Sequence, residues 1–192
     1  VTTIAGIQHD WGCTILTDGV STGSDYRVHN DPGIPKVVQR AEYLIAPAGA
    51  TFACDAVMYG WNPPPFVGKE PLREIVASVV PSMRSHLSSV GYEMDGKHES
   101  PMVALIAVHG VIYQIDTDGS VVLNRHGIYG IGTGGAYAVG ALMAGANEND
   151  ALLIACENDV YTGAPGHIQH QRKPGWSTDD RDATDSSDAD AA

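Results

Sequence analysis

Strand-like and helix-like patterns are grouped along this chain rather than alternating, and that grouping restricts its fold more than any other feature. Two β-rich runs, 2–8 and 13–17, flank His9-Asp10-Trp11-Gly12 at a spacing suited to an antiparallel hairpin. A long Gly, Ser, Asp, Asn and Pro-rich stretch, 19–35, reads as a mostly irregular connection, and 36–39 with 42–46 form a second hairpin. A short buried helix is expected over 50–59. A longer one opens at Pro71, carries Leu72, Ile75, Val76, Val79, Met83 and Leu87 at helical spacing, and ends at Gly91, with a kink at Pro81. Strands follow at 102–108, 111–116, 121–124 and 127–131, with Thr117-Asp118-Gly119 as a turn, then helices at 136–146 and 150–157. Strands, helices, strands, helices oppose a βαβ fold; antiparallel sheets flanked by helices, an α+β class, are predicted, and two stacked sheets between helix layers would fit.

The chain has 192 residues, 43% of them hydrophobic and 18% charged, enough for one domain with its own core, expected over 1–175. Its apolar runs are too short for a helical membrane span, and no membrane partner is expected. A net charge of -12 argues against sequence-independent nucleic-acid binding, which needs clustered Lys and Arg. From 176 to 192 there are six Asp and one Arg with no aliphatic residue larger than Ala, so an acidic, disordered tail is expected there. Cys13, Cys54 and Cys156 are odd in number and widely spaced, which predicts reduced core residues. No secretory pattern precedes Thr2, so a cytoplasmic location is expected, that of a host cell if the protein is phage-borne.

Two motifs tempt and fail. Gly19-Val20-Ser21-Thr22-Gly23 matches G-x-S-x-G, but no helical pattern follows the serine. Gly130-Ile131-Gly132-Thr133-Gly134-Gly135 matches G-x-G-x-x-G, but no parallel strand with a terminal acid follows. The eight histidines form no H-E-x-x-H, and His167 with His170 reads as a solvated pair. No cofactor and no metal are therefore expected.

Thr2 offers a different chemistry. Once a preceding residue is removed, an N-terminal threonine has a nucleophilic hydroxyl and, on the same residue, an α-amine of ordinary pKa about 8 that can serve as its general base. Such a site also needs a cation, a carboxylate to orient it, and a backbone N–H for the oxyanion.

Thr2-Thr3-Ile4, Thr17-Asp18-Gly19, Pro35-Lys36-Val37, Ala48-Gly49-Ala50, Gly132-Thr133-Gly134-Gly135 and Asp159-Val160-Tyr161-Thr162-Gly163 recur in the order and approximate spacing of the proteasome β-subunit superfamily. The chain resembles this family of N-terminal nucleophile hydrolases from Thr2 to about Gly163, most of all the HslV-type bacterial peptidases and the short proteasome-like proteins of some bacteriophages. The resemblance implies a four-layer αββα fold and stacked rings. It makes Thr2 the nucleophile, Lys36 its cation, Asp18 the carboxylate orienting Lys36, and Gly49 the oxyanion donor. Thr133, Asp159 and Thr162 fall where the family has a network supporting the terminal amine. The chain departs from the family in carrying Thr133 and Thr162 where serine is more usual, and in a loop between Asp18 and Lys36 longer by about two residues.

The function expected from these residues is a threonine endopeptidase acting on unfolded polypeptide or peptides. Removal of Val1, by trimming or self-cleavage, is its precondition. The helices at 71–90 and 136–146 carry more apolar surface than one small core needs, which predicts a homo-oligomer. An ATP-dependent unfoldase partner is implied by the HslV likeness alone, since the chain has no G-x-x-x-x-G-K-[ST]. Two rivals remain open: an amidohydrolase of a small amide on the same scaffold, and a catalytically silent ring or shell component.

Overall fold

The computed structural model describes residues 2–22, 27–29, 33–97 and 101–176. Val1 and the acidic segment 177–192 lie outside the described residues, and with them the expectations about trimming and about the tail.

The first hairpin forms as expected. Strand β1 (Thr3–His9) pairs antiparallel with β2 (Gly12–Thr17) through a two-residue loop, in the register Ile4↔Thr17 to His9↔Gly12. The segment expected to be irregular instead holds a small ribbon, β3 (Val20–Thr22) with β4 (Arg27–His29). The second hairpin, β5 (Val38–Arg40) and β6 (Tyr43–Ala48), turns at Ala41, whose φ is +49°. A third, β7 (Val103–Val108) and β8 (Val111–Ile115), turns at His109-Gly110, both left-handed, which matches the twist of tight two-residue hairpins. Strands β9 (Val121–Val122) and β10 (Ile128–Gly132) follow.

With a last strand, β11 (His167–Arg172), these strands assemble into a four-stranded sheet, β10-β1-β2-β11, and a five-stranded sheet, β5-β6-β7-β8-β9. The strand missing from the sequence reading is β11 (His167–Arg172), paired along β2 from His167↔Thr17 to Arg172↔Gly12. Its composition, His-Ile-Gln-His-Gln-Arg, has one aliphatic side chain and hides the alternation that marks a strand. His170 is accordingly part of a sheet: its Nδ1 lies 2.9 Å from Thr14 Oγ1, which also contacts His9 Nε2 at 3.1 Å, while Trp11 stacks on His9.

Helices cover both outer faces. On the larger sheet lie α1 (Thr51–Asp55), continued as a π turn over Ala56–Gly60, and the run of α2 (Pro71–Glu74), a π turn over Ile75–Val79 and α3 (Val80–Ser89). The irregularity expected at Pro81 takes the form of that widened turn, because proline has no N–H to give to the preceding turn. On the smaller sheet lie α4 (Gly135–Met143) and α5 (Glu148–Asn158), the latter capped by Asn147, which accepts from Asp150 N.

Three apolar clusters separate the layers. Trp61, Ile75, Met83 and Leu87 join Tyr43, Ile45 and Ile106 between helices and the larger sheet. Ile4, Ile15, Leu105 and Ile112 fill the space between the sheets. Ala5, Leu16, Ala138 and Leu152 seal α4 and α5 to the smaller sheet. The fold is the expected αββα sandwich, with β1 in the interior of its sheet between β10 and β2.

Candidate active site

Thr2 immediately precedes β1 and is half-buried; Asp18 follows β2; Lys36 precedes β5. The β1–β2 pairing sets Thr17 opposite Ile4, which brings Asp18 back beside the start of β1. Asp18 is fully buried and Lys36 only 7% exposed. Lys36 Nζ donates to Asp18 Oδ1 at 2.7 Å, to Thr2 Oγ1 at 2.7 Å, and to the Val20 carbonyl. Three ammonium hydrogens thus meet three acceptors, the count a buried lysine needs. Asp18 is held equally firmly: Oδ1 also accepts from the Thr3 N–H at 2.8 Å and Oδ2 from the Val20 N–H at 3.0 Å. Burial lowers the Lys36 pKa below the ordinary 10.5, and the adjacent Asp18 carboxylate opposes that fall.

A second polar group closes on the other side of Thr3. Thr133 Oγ1 and Thr162 Oγ1 both donate to Asp159 Oδ2, at 2.6 and 2.5 Å. Thr162 therefore has no proton left for Thr3 Oγ1, 2.5 Å away, and Thr3 is the donor in that pair. Asp159 sits at the C-terminal end of α5, and the turn that follows, with Thr162 N donating to the Asp159 carbonyl at 3.0 Å, fixes the spacing of the two. The methyl groups that threonine adds at 133 and 162 leave both hydroxyl bonds intact.

The structure thus gathers six of the seven residues singled out in the sequence into two hydrogen-bonded sets, Thr2–Lys36–Asp18 and Thr133–Asp159–Thr162. The seventh, Gly49, follows β6 with φ at +122° and lines the same two clefts as Thr2. Thr3 was not among those candidates. Fully buried, it joins the sets, its amide on Asp18 and its hydroxyl on Thr162. The only signal for it is a polar β-branched residue at an inward position of a buried strand. Val20, whose N–H and carbonyl serve Asp18 and Lys36, uses only its backbone and leaves no sequence signal.

Two glycines are required by close approach. Gly132, at φ +78°, pairs with Thr3, and a Cβ there would run into the Thr2 carbonyl oxygen. A Cβ on Gly134 would occupy the space of the Thr3 and Thr162 hydroxyls.

Among the described residues there is no group of three or more His, Cys, Asp or Glu able to hold a metal ion, and no helix is long and apolar enough to cross a membrane. Cys13, Cys54 and Cys156 form no disulfide.

No family model and no curated protein matches the sequence. Solved structures do match. BPH of Thiobacillus denitrificans in complex with epoxomicin superposes with a TM-score of 0.69 at 20% identity, over 88% of this chain and 98% of that one. BPH of the same organism gives 0.69 at 18%, over 91% and 100%. Eukaryotic HslV from Trypanosoma brucei gives 0.63 at 17%, over 88% and 99%. The chain has the fold of these proteasome-like proteins across nearly their whole length.

Proposed function

We propose that this chain, folded as the HslV and BPH proteins are, is a threonine peptidase whose nucleophile is Thr2 after loss of Val1. The observation that carries the reading is the bond from Lys36 Nζ to Thr2 Oγ1, made by a buried ammonium that Asp18 and Val20 hold from the other sides. A cation donating to that oxygen stabilises developing alkoxide, and it leaves the hydroxyl proton to point elsewhere. The freed α-amine of Thr2 takes that proton as Oγ attacks a peptide carbonyl, and returns it to the leaving amine. The Gly49 N–H stabilises the oxyanion. Water, activated by the same amine, then hydrolyses the ester and frees Thr2. Thr3, Thr162, Asp159 and Thr133 support the amine side of the residue. Exposed apolar residues on the outer helices, among them Leu72, Val76, Tyr137, Met143 and Leu153, fit a homo-oligomer, a ring by analogy with the family.

The test is covalent. Epoxomicin, which is present in a BPH complex, carries an epoxyketone that needs both hydroxyl and amine of one terminal threonine. Mass spectrometry of the purified protein is expected to find a chain beginning at Thr2, and one epoxomicin adduct per chain located on it. A chain that keeps Val1, or an adduct elsewhere, rejects the mechanism. Turnover of a small amide with intact peptides would move the assignment to the amidohydrolase alternative.

The rate should also depend on pH from both sides. Below the amine's pKa the base is protonated and the rate falls. On the alkaline side the ammonium of Lys36 is lost, and because its pKa is lowered, the fall comes at a pH below that of an ordinary lysine. An alkaline limb at or above 10.5 would contradict the role given to Lys36.

A further inference from the structure

One cleft beginning at Thr2 runs under the helical segment 51–60. Thr51, Asp55 and Tyr59 recur every fourth residue, as do Cys54 and Met58, so one stripe of that segment faces the cleft. Ile34, Pro35 and Pro47 supply apolar walls across from it. Two lining residues carry charge at neutral pH. Lys36 is neutralised by Asp18 at 2.7 Å. Asp55 is exposed and has no ion-pair partner among the described residues. The thiol of Cys54 beside it stays neutral, burial and then Asp55 itself pushing its pKa up to about 12.

We propose that this cleft takes a lysine or arginine side chain of the substrate, the residue on the acyl side of the cut bond, with Asp55 as its counter-charge. The proposal rests on the peptidase reading for the cut, while the binding preference stands on the cleft itself. An aliphatic stem covers the apolar walls and leaves the cationic tip at the mouth, where Asp55 lies. A glutamate tip would meet a carboxylate, and a leucine would leave that charge without a counterpart. The net charge of -12 favours approach of the same cationic substrates.

Three coumarin-amide tripeptides differing only in a final Arg, Leu or Glu test it, on the wild type, Asp55→Asn and Asp55→Lys. The arginine peptide is expected to exceed the leucine peptide in kcat/KM by about two- to fivefold. That ratio should collapse toward one in Asp55→Asn, and Asp55→Lys should put glutamate ahead of arginine. A wild-type preference for leucine, or a ratio unmoved by Asp55→Asn, overturns the proposal. Calorimetric binding of the matching argininamide and leucinamide peptides to Thr2→Ala reads the cleft without turnover. Asp55-dependent preference for argininamide with no hydrolysis by any form supports this inference and rejects the peptidase reading. Hydrolysis without charge preference does the reverse, and neither binding nor hydrolysis rejects both.

Discussion

Lys36→Met is expected to lower peptide hydrolysis by about 10³-fold or more, with an unfolding free energy reduced by about 3–5 kcal/mol. Both effects arise at one atom. The ammonium is the donor to Thr2 Oγ1, so its loss removes charge stabilisation at the attacking oxygen. It is also the ion-pair partner of a carboxylate with no exposure to solvent, and methionine fills its volume without replacing its charge. Asp18 would keep its two backbone N–H donors, which limits the damage to a stability loss instead of unfolding. Denaturant titration beside kcat/KM separates the two. A variant retaining activity within about tenfold of wild type would mean that Lys36 does not assist the attack.

Gly132→Ala is expected to slow both epoxomicin labelling and hydrolysis by about 10²-fold, because a displacement of the nucleophile by about an ångström costs that much. The backbone at 132 is left-handed, and the added methyl would occupy the position of the Thr2 carbonyl oxygen. Since β10 pairs Gly132 with Thr3, relief is available only by moving the start of β1. The strained backbone adds a stability cost of about 1–3 kcal/mol. Gly140→Ala on α4 is the control: nothing lies within 4 Å of its added Cβ, and the helix should gain up to about 1 kcal/mol. Equal labelling rates in the two variants would show that Gly132 does not hold Thr2 in place.

Sequence order alone carried the layer arrangement, because grouped strand patterns leave few alternatives to packed antiparallel sheets. It missed β11, five of whose six residues are polar and could stand in any loop, and it missed the β3–β4 ribbon, two three-residue strands inside a stretch rich in turn formers. The candidate site was legible to the extent that side-chain chemistry at 2, 18 and 36 is distinctive in combination. That Lys36 reaches Thr2 depends on a tertiary approach across 34 residues of chain, which no local pattern encodes. Thr3, read only as part of Thr2-Thr3-Ile4, was given no role of its own because a threonine at a strand start is ordinary. Its role appears only when its amide and hydroxyl are followed to different partners. Asp55 escaped for a similar reason: an acid on a short helix reads as solvated until the cleft beneath it is seen.

The opening residues of a chain usually fray, and strands that begin a domain usually lie at a margin. Here β1 has β10 on one side and β2 on the other, with the Thr3 amide tied down one residue after Thr2. If Thr2 attacks as proposed, its freedom is surrendered once, when the protein folds, and not again at each encounter with a substrate. Under the proposed mechanism, anything that stays attached ahead of Thr2 would leave the scaffold standing but silent, so an affinity handle for this protein belongs on its other terminus.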